Sequence, residues 1–593
     1  MARDEIIDSL TTGAAEHKAP EAPVTQVMDV ATMRSMVLKM QCEAGEQLGR
    51  QLEADVQHTR EVQEELLFEM LDANKNTPYG RDHNFADIKT VEDFKKLPFT
   101  TYDDYAGYIY EVMEHGTRGV VTTEEIVHFN ETSGTMGNPK GIPYTKRMSE
   151  VLMGYAGAFV TNMAVKELGG IEMLTRGRAF NSMEGHVSTL KSGITFGSLS
   201  CKAMVDGRQY LAASTTSPDE AVFAKPGTDT RYLHVRYAVA EKSLTQIACV
   251  FITNLLDLMR YVEDNWEMLV HDIETGTIDP QIQLPDDVRS QLENRLRPMP
   301  ERAAELRQIF EAGFDAPVAS LIWPQLVMVH AVAGGGFTPY TQRLRRFLGD
   351  KVHIVYAGYS ASEGAFSVPY ELDNPSSVLL PRSVYFEFVP VENPDYEHTL
   401  GLEDLEEGQD YEVIITSRSG FYRYKMRDAI RVTGHRGTCP TMEFLYRLDQ
   451  TVNMKGEKTT EAVLRGVADR VAERMGLDLV DFSVYPDVDV HPPRYEFLYE
   501  FYHADHAAID LAELSRMTDE ELRAGNYDVD YMTEDGDFAP ANALVLHDET
   551  NQLWVDMRVM HGKAPNQIKP VHIIDTEQKR RFFYALVDHD VRA

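Results

Sequence analysis

The chain has 593 residues, of which 43% are hydrophobic and 26% charged, enough to bury a large core and to hold two or more domains. Its net charge of -36 repels nucleic acid and anionic lipid. No apolar run reaches the roughly 18 residues of a membrane span, the start Met-Ala-Arg-Asp-Glu carries no signal core, and four scattered cysteines form no Cys-x-x-Cys. These features argue against a secreted disulfide scaffold or a zinc site and point to a reducing cytoplasm.

In chain order, residues 1–40 read as a flexible to helical leader, loose over 1–25, and one helical stretch is expected from Val27 to Asn74. Asn76-Thr77-Pro78-Tyr79-Gly80 is a stop, followed to about 125 by short helices. Ile126–Phe129 reads as a strand. Beyond Pro143, Met148, Leu152, Ala156, Phe159 and Met163 keep a helical period. The apolar run Ile247–Leu258 is expected to be a buried helix. Leu326–Val332 reads as a strand ending in Gly334-Gly335-Gly336, where backbone can approach a ligand. Val352–Tyr356 is another strand. From Val384 to Val432 the pattern is β-rich, with strands over Tyr411–Thr416, Phe421–Lys425 and Ile430–Thr433 and turns at Ser419-Gly420 and near Arg427-Asp428. A polar break at 447–457 precedes a helix with Val463, Val467 and Val471 in register. Strands near Phe482–Tyr485 and Tyr495–Phe501, a helix and a strand over Leu553–Met560 follow. The expected domains are 41–446, a hinge at 447–457 and a smaller domain over 458–593.

The chemistry concentrates in Thr132-Ser133-Gly134-Thr135-Met136-Gly137-Asn138-Pro139-Lys140-Gly141. Glycines let backbone amides approach phosphate oxygens, hydroxyls add donors and Lys140 adds charge. The spacing is not Gly-x4-Gly-Lys-Ser/Thr, which disfavours chemistry of the Walker type. The loop resembles the phosphate loop of the acyl-adenylating superfamily. Further along, Tyr359-Ser360-Ala361-Ser362-Glu363 offers an aromatic for adenine and a carboxylate for Mg²⁺. Asp428, after Tyr424-Lys425-Met426-Arg427, offers bidentate acceptance for a vicinal diol. Arg447-Leu448-Asp449-Gln450 precedes the second domain, and Lys569 lies in Asn566-Gln567-Ile568-Lys569-Pro570. Each alone also reads as an ordinary turn or solvated charge.

Together, and in this order, these segments resemble the acyl-acid amido synthetases of the Gretchen Hagen family, in their bacterial type. Asn76–Gly80, Val91–Phe94, Thr101–Tyr105, Ile322-Trp323-Pro324, Tyr385–Phe388 and Gly420–Tyr424 add to the resemblance, which spans about 60–575. It implies an α/β fold: a large N-terminal adenylating domain with sheets flanked by helices and a β-barrel-like subdomain, and a smaller mobile α+β C-terminal domain. It implies ATP and Mg²⁺, a small carboxylic acid and an amine, commonly an amino acid, as reactants, with no nucleic acid or membrane partner; the oligomeric state stays open. By resemblance, Ser133, Gly134, Thr135, Gly137 and Lys140 hold phosphates, Tyr359 stacks on adenine, and Ser362 and Glu363 lie near phosphate and Mg²⁺. Asp428 holds ribose, Arg447 is hinge-proximal, Gly335 lines the pocket, and Lys569 approaches the reacting carboxylate. Arg427 departs from the pattern, standing where the family usually has glycine. An acid–CoA ligase, or a nucleotide-binding regulator without turnover, remains as an alternative.

Overall fold

The structure is a computed structural model. It describes residues 30–591 apart from 132–139, 226–227, 229, 449–450, 453, 456, 458, 562, 564, 566–567 and 590. The chain divides into two compact units. The larger comprises residues up to Met426 with Ile430–Phe444, and the smaller comprises Arg427–Ala429 with the chain from Leu445 onward.

In the larger unit, the first described element is not one helix but two, Val30–Asp55 and Thr59–Asn74. The break has a tertiary cause: the Val56 carbonyl accepts from the Thr438 amide at 2.8 Å and from its hydroxyl at 3.0 Å, so a hairpin tip takes the bond the helix would have used. The Lys146–Leu152 helix is capped by Thr145, and seven residues of π-helix, Met153–Phe159, separate it from the helix Val160–Glu167. π-Helical turns within α-helices are frequent at functional sites.

Three sheets organise this unit. A four-stranded sheet runs in the order Gly141–Thr145, Ile126–Glu131, Thr195–Gly197, Ser188–Thr189. A parallel sheet has the order Arg178–Asn181, Leu244–Phe251, Met328–Val332, His353–Tyr356, with Ala248, His330 and Val355 in register. The run expected to be a buried helix over Ile247–Leu258 is therefore strand to Phe251 and helix from Ile252 to Thr275. A parallel strand covered on both faces is apolar throughout, and its pattern cannot be told from a buried helix. The β-rich region is a six-stranded sheet, Ser367–Pro369, Ser377–Leu379, Cys439–Arg447, Tyr424–Arg436, Asp410–Thr416, Tyr385–Pro390, with an open order. Here the turn expected at Arg427-Asp428 is absent. One strand runs through from Tyr424 to Arg436, with Arg427 at φ +59° inside it.

The smaller unit stacks the helices Glu461–Met475 and Leu511–Gly525 with a three-stranded sheet. The strands are Leu479–Asp487, Arg494–Phe501 and Asn542–Val545. Thr460 caps the first helix and Gly476, at φ +67°, ends it. The last sheet strand is thus Asn542–Val545, parallel to its neighbour. The segment expected as a strand over Leu553–Met560 is a helix, Thr550–Met560, in which Thr550 and Trp554, one turn apart, are buried.

Candidate active site

Glu131 pairs with Gly141 across the antiparallel strands that flank the phosphate-loop sequence. Ser133, Gly134, Thr135 and Gly137 lie outside the described residues. Lys140 is described, with its ammonium 5.0 Å from the centre of the Tyr102 ring, within cation–π range. The Tyr102 hydroxyl accepts from the Gly141 amide at 3.3 Å, and burial pushes this phenol up to about 12. Tyr102 therefore fixes the strand that begins beside Lys140. The Thr101–Tyr105 motif shows this residue in sequence without showing its contact.

Ser362 and Glu363 form the two-residue turn of a hairpin in which Ala361 pairs with Gly364. The Glu363 side chain is buried. The Asn130 amide donates to the Ser362 carbonyl at 2.8 Å, which ties this turn to the strand that enters the phosphate loop. Asn130 is itself fully buried, and its Oδ1 has no partner among the described residues. Nothing in the sequence marks this asparagine.

Tyr359, just before the hairpin, is packed against Phe366 and Phe444, ring centres 4.8 and 5.5 Å away. Its amide donates to Ser367 Oγ at 2.7 Å. Gly358 is needed there, since a Cβ would overlap the Ser367 carbonyl. Gly335 follows the strand Met328–Val332 at φ +59°, a conformation glycine adopts without penalty.

In the smaller unit three expected residues converge. Arg447 Nε lies 3.2 Å from Asp428 Oδ1, and the carboxylate is buried while the guanidinium is partly exposed. Lys569 lies beside them with an exposed side chain, although dense surrounding protein desolvates its ammonium. Burial pulls its ammonium below the usual lysine range, Arg447 pulls it further, and Asp428 and Glu461 oppose the shift. The segment that carries Lys569 is held against a sheet edge: Val484 N–H donates to the His572 carbonyl at 2.9 Å, and Ile574 N–H to the Val484 carbonyl at 2.9 Å. The His572 ring stacks on Phe482 at 4.8 Å and contacts Glu461, Arg465 and Asp481. Burial raises the Glu461 carboxyl, but His572, Arg465 and Lys569 together outweigh it and leave it below its ordinary range. The His572 imidazole is pushed down by burial and Arg465, but Asp481 and Glu461 outweigh them and leave it raised. Glu461 and His572 were not singled out from the sequence, although His572 lies only three residues beyond Lys569.

Several motif stretches serve the core instead. Tyr79 and Tyr422 stack at 5.4 Å, and Tyr79 and Tyr105 at 5.0 Å. Arg423 makes a buried two-point pair with Glu387, at 3.1 and 2.8 Å. Trp323 Nε1 donates to the Ala238 carbonyl at 2.8 Å.

A magnesium ion carried by nucleotide phosphates needs one or two protein oxygens, not a cage. No cluster of three or more metal-ligating side chains occurs among the described residues. The buried Glu363 carboxylate and the orphaned Asn130 Oδ1, tied to the same turn, suit that modest requirement.

Residues 48–354 match the GH3 family N-terminal domain, 377–447 its central domain and 461–578 its C-terminal domain. A probable indole-3-acetic acid-amido synthetase of Oryza sativa subsp. japonica is 25% identical over 89% of this chain and 93% of its own. A jasmonoyl–L-amino acid synthetase of the same plant is 25% identical over 74% of this chain and 80% of its own. A 4-substituted benzoates-glutamate ligase of Arabidopsis thaliana is 24% identical over 88% and 94%. Among solved structures, an acyl acid amido synthetase superposes with a TM-score of 0.78 at 21% identity, over 96% of this chain and 98% of the other. No helix among the described residues is long and apolar enough to cross a membrane.

Proposed function

The chain belongs to the GH3 family, and from that premise we propose that it is an ATP-dependent, AMP-forming acid–amino acid ligase. The observation that carries this reading is the convergence of Asp428, Arg447 and Lys569, distant in sequence, on one another in the smaller unit.

In the first step a carboxylate oxygen of a small organic acid attacks the α-phosphorus of ATP. The bond to the β-phosphate oxygen breaks, and acyl-adenylate and pyrophosphate form. Lys140 and Lys569 offset the negative charge that gathers on the phosphorus oxygens. Tyr359 stacks on adenine, Asp428 accepts from the ribose hydroxyls, Gly335 leaves room for backbone to approach the ligand, and Ser133, Gly134, Thr135, Gly137 and Ser362 bind phosphate. Glu363, with Asn130 beside it, would hold Mg²⁺, which supplies charge neutralisation on the phosphates when bound.

In the second step the amine of an amino acid attacks the acyl carbon. The bond from that carbon to the AMP oxygen breaks, the amine nitrogen loses its proton to solvent, and amide and AMP leave. Adenylation thus supplies the leaving group that a free carboxylate lacks. The run 447–457 is the proposed hinge between the two steps, with 41–446 and 458–593 as the domains it joins. Four free cysteines, three of them buried, suit a reducing cytoplasm.

The test is acid-dependent exchange of labelled pyrophosphate into ATP across pooled aryl, indolyl, bile-type and fatty acids. Product mass is then measured with amino acids and CoA both present. Exchange followed by an amide product is expected. ATP binding without exchange in any pool would favour a binding protein, and a thioester product would make this an acid–CoA ligase.

A further inference from the structure

The larger unit holds a cavity of about 480 Å³ between the N-terminal helix Val30–Asp55, the helix Val160–Glu167 and the six-stranded sheet. That volume falls in the range of small-molecule sites. None of the residues assigned to adenylation lines it. Its walls are apolar: Leu52 from the first helix, Phe159 from the π-helical turn, Met163 from the second helix and Val378 from the sheet.

The charges at its mouth are mostly spent. Arg50 pairs with Glu46 at 3.2 Å. Arg436 pairs with Glu53 and lies 5.6 Å from the centre of the Tyr370 ring. Glu167 accepts from the Leu372 amide at 3.1 Å. Lys166 is different, for it makes no ion pair among the described residues although acidic side chains outnumber basic ones 94 to 58 in the chain. One turn earlier on the same helix face, Asn162 lines the cavity with only 9% of its surface exposed and no hydrogen-bond partner among the described residues. A cation and an amide, stacked at i and i+4 beside an apolar slot, match a carboxylate with a hydrocarbon body.

We propose that this cavity is a second binding site, for a small amphipathic monocarboxylate whose acid group meets Lys166 and Asn162 and whose apolar body lies between Leu52, Phe159, Met163 and Val378. The site stands on its own residues and does not depend on the adenylation reading.

Cys42 reports on it. It is half-buried, whereas the other three cysteines are buried. Burial pushes its thiol up, and the Lys166 charge pulls it back. A carboxylate on Lys166 cancels that pull and leaves less thiolate to react. The experiment measures the rate of Cys42 alkylation by iodoacetamide in the full chain, with decanoate as probe and decanol as its uncharged counterpart. Decanoate is expected to slow labelling severalfold in the native protein and in Lys569→Ala, to have no effect in Lys166→Met, and decanol is expected to protect neither. Lys166 is exposed, so its replacement leaves the packing intact. Unchanged labelling at saturating decanoate, equal protection by decanol, or protection that survives Lys166→Met would each overturn the proposal.

Discussion

In the larger unit, Tyr359, Ser362 and Glu363 are fixed by backbone pairing and ring packing; in the smaller unit, Asp428, Arg447 and Lys569 are fixed by charge. The hairpin under Glu363 needs a glycine at 358, a bond from Asn130 and two phenylalanines against Tyr359. The lysine site needs none of these. It balances one cation against a neighbouring cation and two carboxylates, above a buried histidine cluster. The first kind of site fails when a methyl group is added. The second tolerates modest packing changes and responds to protons.

The largest expected effect is at the charged site. Lys569→Ala should lower pyrophosphate exchange by about 10²–10³-fold, the usual loss for one group that stabilises developing charge, with an unchanged circular dichroism spectrum. Full exchange in that variant would remove the lysine from the reaction. At the packed site, Gly358→Ala should cost about 1–3 kcal/mol in denaturant unfolding, as overpacking does, and should weaken ATP binding, because the new methyl meets the Ser367 carbonyl. Native stability there would mean that the hairpin yields easily, and the contrast would weaken.

The third experiment sharpens the contrast through pH. Lys569 is depressed, so its charge is lost as pH rises through a value below that of an ordinary lysine, and exchange should fall along that alkaline limb. Glu461 opposes the depression. Glu461→Gln should therefore move the limb to lower pH, whereas Gly358→Ala should leave its position alone. A limb unmoved by Glu461→Gln would show that another group titrates. The smallest effect is at Arg427. A non-glycine residue at φ +59° carries about 1–2 kcal/mol of strain, and a glycine there loses about 0.5–1 kcal/mol through added freedom in the unfolded chain. Arg427→Gly should thus gain at most about 1.5 kcal/mol in chemical unfolding, with exchange retained. A large gain of exchange would instead mark the native chain as impaired at this position.

The order of motifs along the chain was enough to name most of the candidate site, because Lys140, Glu363, Asp428, Arg447 and Lys569 belong to short runs whose residue types suit one reaction. Those runs could not separate function from packing. Arg423 and Asp428 stand five residues apart in one motif, yet Arg423 is buried against Glu387 and Asp428 pairs with Arg447. Asn130 and Glu461 went unseen since their importance lies in what they touch across the fold. The misread elements share a cause. The helix break at Val56 depends on Thr438, and the strand Leu244–Phe251 depends on its pairing with Arg178–Asn181 and Met328–Val332. Leu553–Met560 is apolar at six of its eight positions, so neither period stands out.

Lys569 sits on a segment that docks against the strand Leu479–Asp487 late in the chain. A ribosome delivers the nucleotide-facing residues of the larger unit first, and domains fold as they emerge. On the proposed chemistry, a nascent or truncated chain that stops short of this docking can fold its larger unit and still lack the charge that drives adenylation. Unfinished copies are then silent, consuming no ATP and leaking no reactive mixed anhydride into their surroundings, and the reaction switches on with the laying down of one edge segment.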